Sequence, residues 1–377
     1  MKICIVSRTI NKKGGVSRYY AELAEHLCKE HEAHILVAWY ENKYKDNFII
    51  HPYSIPQNPY VLQITSSFVK VSTLARKLDE KFGFDVIHAS EAEGLYQDVI
   101  TAHSCIRGAF EKLKKNNLFY DFLRRIRPFT LFGLAAENLI YSHHRYKKII
   151  AVSGGVKKEI MSYYNVPDDE IVVIPNGINI EEFKPDEKSK KRVREKYGIG
   201  GDEIVLMFSG YEFKRKGLRY IIEALPLMER NLKLFVVGKS DPKPFQNLAN
   251  KLGVSNNIIF TGFVPEIKDY YAASDIYVFP SAYEPFGLVI TEAMASGLPV
   301  ITSKISGVAE LISDGHDGLL LNEPNNVDEI AEKIKLLIED ESLRRHMGRN
   351  ARKTAEKYPW SEITKKTLEV YEEVAKR

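Results

Sequence analysis

With 377 residues the chain has room for two or three domains of about 150 residues, and its 44% hydrophobic and 28% charged content is that of a globular protein. Its 23 glycines and 16 prolines are too few for a collagen-like or low-complexity chain. A formal net charge of +4 is too small to imply nucleic-acid binding by itself, and no nucleic-acid partner is expected.

Short β-branched runs alternate with longer amphipathic stretches. KICIVS (2–7) reads as a first strand, followed by Gly14-Gly15 and a helix-like segment over 15–30. AHILVAW (33–39), a helical stretch over 63–82, FDVIHAS (84–90), QDVITAH (97–103), a long helical stretch over 107–145, KKIIAVS (147–153) and IVVIP (171–175) complete a first series. None of the apolar runs alternates strictly with polar residues, which is the pattern of parallel strands covered on both faces. VIPNGINIEEFKP, with Pro175, Asn176-Gly177 and Pro185, then breaks the series ahead of the charge-rich DEKSKKRVREK. A second series follows: EIVLMFS (203–209), KLFVVG (233–238), NIIFTG (257–262), DIYVFPS (275–281), PVITS (299–303) and DGLLL (317–321). Two such series predict an α/β chain of two doubly wound, Rossmann-like domains over 1–180 and 181–358. The last stretch, 359–377, sets Ile363, Thr367, Val370, Tyr371 and Val374 at helical spacing, and this helix packs on the second lobe or crosses back to the first.

Cys4, Cys28 and Cys105 are odd in number and form no CxxC pair, which fits a reducing compartment and argues against a disulfide framework or a zinc cluster. The apolar run at the start is too short for a secretory leader and no later run reaches transmembrane length, so a cytoplasmic protein is expected.

The densest chemistry lies in SAYEPFGLVITEAMASGLPV (281–300). A strand ending at Pro280 leads into a loop with Glu284, then Pro285 at an expected first helical position, a short helix over Leu288–Ala295, and Gly297 as its stop. Eight helical steps at about 100° set Glu292 two turns beyond Glu284 and about 80° around the axis. The amides of Phe286, Gly287 and Leu288 open the helix at its positive end and suit a diphosphate. Glu292 can accept two hydroxyls of a ribose, while Glu284 reaches a sugar. Taken alone, two glutamates beside a capped helix are a common surface feature; the surrounding sequence decides.

Lys214-Arg215-Lys216-Gly217 follows the strand ending at Ser209. A fixed cation beside a diphosphate neutralises charge developing on a leaving group. Arg215 offers a planar fork and Lys216 a point charge. Gly14-Gly15 is a tight strand-to-helix turn without the GxGxxG spacing of a dinucleotide fingerprint. His103 ends a strand at the carboxyl edge of the predicted sheet, where ligands bind in open α/β folds.

E-x7-E within EPFGLVITEAMASGLPVI, followed by GVAELI and DGHDGLLL, resembles the retaining glycosyltransferases of family 4. The likeness extends to GGVSRYYAELAEHL near the start, VIPNGINIEEF at the linker and FSGYEFKRKGLRYIIEAL opening the second lobe. Within the family the chain is most similar to the lipopolysaccharide core glucosyltransferase type, which shares the FxRKG-like segment and VVG-x4-K/R-x-F. The resemblance implies the GT-B fold, an acceptor site in the first lobe and a nucleotide-sugar donor site in the second. It implies that Glu284 contacts the donor sugar and Glu292 the ribose, with the backbone of Phe286, Gly287 and Leu288 holding phosphate and sugar oxygens. Many members carry Arg directly after the glycine that is Gly210 here; this chain has Tyr211, so the role shifts to Arg215 with Lys216 as its partner. Gly14 and Gly15 would face donor diphosphate or acceptor, Arg18 would reach into the same cleft, and His103 would hydrogen-bond the donor sugar.

No DxD-type motif stands in a telling place, so neither metal nor cofactor is expected, the nucleotide sugar being a substrate. No carboxylate stands out as the nucleophile that double displacement requires. Same-face substitution fits better, with the leaving phosphate taking the acceptor's proton. The family's commonest donor nucleotide is uridine, so transfer of a hexose from a UDP-sugar to a glycolipid, lipopolysaccharide or other glycan is expected. A nucleotide-sugar epimerase or phosphorylase on the same fold, and an inactive scaffold, stay open as alternatives at this point. Finally, residues 107–129 carry Arg107, Lys112, Lys114, Lys115, Arg124, Arg125 and Arg127 against Glu111 and Asp121, with Phe110, Phe119, Tyr120, Phe122 and Phe129 interleaved. Such a segment either lies on an anionic membrane surface or packs on the core with a solvated back.

Overall fold

The computed structural model describes residues 1–41, 44, 48–115, 119–228 and 232–375, and the backbone alone for 113–115, 119–127 and 129. The chain divides into two compact units, one formed by Met1–Gly177 with Trp360–Arg377 and the other by Ile178–Pro359.

The first unit contains strands β1 (Lys2–Val6), β2 (Thr9–Ile10), β3 (Glu32–Val37), β4 (Trp39–Tyr40), β5 (Ile49–Pro52), β6 (Val86–Ser90), β7 (Val99–Ala102), β8 (Lys148–Ala151) and β9 (Ile171–Val173). Seven of them form one parallel sheet in the order β5-β3-β1-β6-β7-β8-β9, and β2 pairs with β4 apart from it. Ile3, Cys4, Ile5 and Val6 are fully buried, as are Ile149 and Ile150, which is why these runs carry no polar alternation. Edge strand β5 has no fully buried residue and includes His51, so its sequence shows only the short apolar run Phe48-Ile49-Ile50. The helices are α1 (Gly15–Leu27), α2 (Tyr60–Phe82), α3 (Ile106–Lys115), α4 (Phe119–Tyr141) and α5 (Gly154–Tyr164). The single helical stretch expected over 107–145 is thus two helices; Asn116-Asn117, weak helix formers, fall between them in the sequence.

The C-terminal helix, Trp360–Val374, belongs to this first unit. It packs against α1, with Ile363, Thr367, Val370 and Tyr371 among its buried residues. The Trp360 ring meets Tyr19 edge-on at 5.4 Å, and the Tyr371 hydroxyl lies 2.5 Å from His88 Nδ1.

The second unit contains β10 (Ile204–Ser209), β11 (Leu232–Val237), β12 (Ile258–Gly262), β13 (Ile276–Phe279), β14 (Val300–Ser303) and β15 (Leu319–Leu321), all parallel in the order β12-β11-β10-β13-β14-β15. Its helices are α6 (Glu187–Lys196), α7 (Leu218–Ala224), α8 (Lys243–Lys251), α9 (Ile267–Ala273), α10 (Leu288–Ala295), α11 (Val327–Glu339) and α12 (Glu341–Ala355). Asp186 caps α6 through Lys188 N and Ser189 N, and Asp340 caps α12 through Leu343 N, each satisfying amides that a helix start leaves unpaired. The direction of strand succession reverses between β10 and β13, and in the first unit between β1 and β6. At such points the connections diverge to opposite faces and leave a crevice at the carboxyl ends of the strands.

Candidate active site

In the second unit that crevice is built from the segments following β10 and β13. The loop 280–287 is held at several points. Ser303 Oγ donates to Ser281 O at 2.6 Å and Thr302 Oγ1 to Phe279 O at 3.0 Å. Gly307 N donates to Glu284 O at 2.9 Å and Val308 N to Phe286 O at 2.8 Å. Gly217 has φ +82°, and a Cβ there would lie 2.1 Å from Pro280 O, so only glycine lets the Lys216 segment approach the end of β13 this closely.

These contacts bring most of the second-unit candidates together. Lys216 Nζ lies 3.4 Å from Glu284 Oε2, and Arg215 Nη1 lies 3.9 Å from the same oxygen. Lys216 Nζ also sits 4.8 Å from the centre of the Phe279 ring. Arg215 Nε donates to Glu212 Oε2 at 3.0 Å, and Arg215 Nη1 donates to the carbonyl of Tyr283. Burial opposes the Arg215 charge, but Glu284 and Glu212 outweigh it and hold the guanidinium more basic than usual. Glu212 itself adopts φ +54°. Glu284 Oε2 is buried and accepts no hydrogen bond, so the acid stands in a positive field with an oxygen still to be satisfied.

Helix α10 starts at Leu288, with Gly287 as its N-cap at φ +110° and no side-chain cap. This corrects two expectations. Pro285 lies ahead of the helix, not at its first position, and Glu284 is on the loop, so the helical projection from Glu284 to Glu292 does not apply. The cause is the positive φ of Gly287, which turns the chain before it can wind. The amides of Phe286, Gly287 and Leu288 stand at the opening of the helix, where its dipole favours an anion. Glu292 is buried, and one of its oxygens accepts from Tyr271 OH at 3.0 Å. Tyr271 in turn contacts Ser209 Oγ at 3.2 Å. Tyr271, Ser209, Thr302 and Ser303 were not singled out from the sequence, since a buried hydroxyl in an apolar run gives no periodic signal, and neither was Glu212, an exposed acid in a charged turn.

In the first unit, Gly14 is the N-cap of α1 and Gly15 its first residue. Gly14 O accepts from Arg18 N at 2.8 Å, while the Arg18 guanidinium lies 3.8 Å from Glu22. His103 follows β7 directly and packs edge-on to Tyr19 at 4.7 Å. Burial pulls its pKa down to about 3, so the ring is neutral, and Nε2 is buried with no hydrogen-bond partner. The β1/β6 crevice of this unit holds a cavity of about 60 Å³, lined by Arg8, Glu91, Glu93, Phe68 and Phe132 among others. Arg8 follows β1 and bonds Glu93 through both its backbone and its guanidinium, at 2.9 and 3.2 Å.

A wider groove of about 1110 Å³ opens in the second unit at the amino ends of the strands, by Ile204 and Pro299. Several of its charges pair with one another, as in Arg194–Asp275 at 2.5 Å and Arg345–Glu341 at 2.6 Å, and it lies at the end of the sheet opposite the glutamate and lysine cluster.

Two parallel sheets of Rossmann order, each with a crevice at its switch point, match the GT-B fold of glycosyltransferases. Residues 13–182 match Glycosyltransferase Family 4 and residues 189–354 match Glycosyl transferases group 1. The chain belongs to this glycosyltransferase family. It is 30% identical to the uncharacterized glycosyltransferase MJ1607 of Methanocaldococcus jannaschii, over 98% of each chain. It is 27% identical to the lipopolysaccharide glucosyltransferase WaaG of Escherichia coli, over 68% of this chain and 69% of that one. The fold is also that of the WaaG crystal structure (TM-score 0.80, 22% identity, 98% of this chain and 99% of that one). It is shared by Anabaena HepE, solved with UDP and glucose (TM-score 0.77, 21% identity, 98% and 99% covered).

Proposed function

We propose that this glycosyltransferase retains anomeric configuration and moves a hexose from a UDP-sugar to a hydroxyl of a glycolipid, lipopolysaccharide or other glycan, without a metal ion. The observation that carries the reading is the grouping of Lys216, Arg215 and Glu284 beside the uncapped start of α10 at the switch point of the second sheet. Lys216, Arg215 and the amides of Phe286, Gly287 and Leu288 receive the diphosphate; Glu292 takes ribose hydroxyls; Glu284 takes sugar hydroxyls. As the bond from the anomeric carbon to the phosphate oxygen breaks, negative charge grows on the phosphate beside fixed cations. The acceptor oxygen bonds to the same face of the anomeric carbon, and its proton passes to the departing phosphate oxygen. His103, neutral and with an unsatisfied buried nitrogen, suits a hydrogen bond to a sugar hydroxyl. Gly14, Gly15 and Arg18 line the acceptor or diphosphate side in this reading, and the β1/β6 crevice of the first unit is the acceptor's place. WaaG is by name a lipopolysaccharide glucosyltransferase, and HepE was solved with UDP and glucose.

A thermal-shift panel of UDP-, GDP- and ADP-sugars tests the donor assignment, since a ligand held only by the native state raises the melting temperature. A UDP-hexose is expected to give the largest shift; a shift confined to another nucleotide replaces uridine, and no shift from any overturns the site.

The finer reading of location is a cytoplasmic enzyme held at an anionic membrane face. Its support is the basic excess of 107–129 together with exposed Tyr60, Leu62 and Val69 on α2 and Leu131 on α4, two helices that pack together. The side chains of Lys114, Lys115, Arg124, Arg125, Arg127, Phe119, Tyr120, Phe122 and Phe129 lie outside the described residues. Lys112 is already engaged with Glu159 at 2.6 Å, and Arg107 stacks over Tyr163. Among the described residues, no helix is long and apolar enough to cross a membrane. Co-sedimentation with vesicles should rise with anionic lipid and fall with salt; binding indifferent to both removes this reading.

A further inference from the structure

Behind Glu292 runs a chain of buried hydroxyls, and we infer that Tyr271 is a positioning residue that fixes the Glu292 carboxylate for the ribose of the donor nucleotide. The inference rests on the ribose reading of Glu292 given above. Tyr271, on α9, is fully buried, with its hydroxyl 3.0 Å from Glu292 Oε2 and 3.2 Å from Ser209 Oγ at the end of β10. Ser209 Oγ lies 2.9 Å from the hydroxyl of Tyr277 on β13, also fully buried.

The proton order follows from donor counting. A carboxylate only accepts, so Tyr271 donates its one proton to Glu292; Ser209 must then donate to Tyr271, and Tyr277 to Ser209. Val289 O, 3.1 Å from the Tyr271 hydroxyl, competes for that proton, but a charged acceptor forms the stronger bond. Burial first, and Glu292 second, hold the Tyr271 phenol well above its usual pKa, so the proton stays on the oxygen.

Phenylalanine would fill the same space at 271 and 277, where the neighbours are the rings of Phe183, Tyr277 and Phe279. Buried hydroxyls in such surroundings cost free energy unless each is bonded, so a run of three that ends on one carboxylate is poorly explained by packing alone. The run ties α9 and α10 to β10 and β13, the two strands that flank the switch point. Ribose recognition by two hydroxyls needs the carboxylate plane set in advance, and Glu292 sits on a helix of only eight residues whose start has no side-chain cap. Tyr271 supplies that constraint.

The test is calorimetric titration of UDP, with GDP and ADP run alongside, and of 2′-deoxy-UDP, into wild type, Tyr271→Phe, Ser209→Ala, Glu292→Ala and the Tyr271→Phe/Glu292→Ala double variant. Tyr271→Phe should weaken UDP binding by roughly three- to tenfold, the size of one ordinary hydrogen bond, in a variant that still unfolds cooperatively. It should weaken 2′-deoxy-UDP less, and add nothing in the Glu292→Ala background. Ser209→Ala should give a smaller loss of the same kind. If Glu292→Ala leaves affinity unchanged, or no nucleotide binds wild type, the ribose reading fails and the inference falls with it. If Glu292→Ala weakens binding while Tyr271→Phe does not, or Tyr271→Phe costs the same in both backgrounds, the ribose reading stands and the inference is overturned.

Discussion

Arg215 is held at three points: by Glu212 at 3.0 and 2.9 Å, by the carbonyl of Tyr283, and by the Glu284 carboxylate 3.9 Å away. That forked geometry is what a lysine cannot reproduce, since an ammonium makes point contacts from a flexible stem. If leaving-group charge grows beside this guanidinium, its loss appears at the transition state more than in the bound ground state. Arg215→Ala should therefore lower kcat by about a hundredfold with a smaller rise in KM, and Arg215→Lys should recover only part of the loss. Steady-state kinetics of the variants decide it: an unchanged kcat with a raised KM would remove the catalytic role. E-x7-E and the KRK turn were legible in the sequence because each packs its chemistry into a few adjacent residues. Tyr271 and Ser209 were not, because they meet Glu292 and each other across 21 and 62 residues of chain, and a hydroxyl inside an apolar run looks like core.

At the scale of elements, the strands were readable from their unbroken apolar runs, which both-face burial requires. The first series missed β5, whose half-exposed edge position leaves mixed polarity, and merged α3 with α4. The C-terminal helix was legible as a helix, while its partner was not, since an apolar stripe does not name what it covers. The partner is set by contacts such as Tyr371 to His88, 283 residues apart. His88 is fully buried, bonded also to Thr101 Oγ1 at 2.7 Å, and burial, with His103 as a lesser cause, lowers its pKa to about 3. A base whose folded pKa lies below its ordinary value contributes stability that is present above about 6.5 and lost as pH falls toward 3. The stability gap between wild type and His88→Gln should accordingly narrow on acidification, by up to about 1.4 kcal/mol per pH unit below 6.5. Denaturant unfolding followed by tryptophan fluorescence reads this in the first unit, where both tryptophans, Trp39 and Trp360, reside. A gap that stays constant from pH 7.5 to 5 contradicts the buried neutral imidazole.

At the scale of the molecule, two parallel sheets with the same reversal of strand order each set charged side chains where the order turns. The first crevice is flanked by Arg8 and Glu93 and the second by Lys216, Arg215 and Glu284. Alternation of strand and helix made both sheets foreseeable, and family likeness supplied the roles that spacing alone left open. The central claim is acceptor-dependent hexose transfer with retention and without a metal ion. The measurement that tests it most directly is proton NMR of the product formed in EDTA, using the nucleotide sugar that stabilises the enzyme most and a lipopolysaccharide-core acceptor. The account predicts a new glycosidic bond with the donor's anomeric configuration, formed with EDTA present, and no donor consumed when the acceptor is left out. An inverted anomeric centre, consumption of donor without acceptor, or activity abolished by EDTA and restored by magnesium would contradict it.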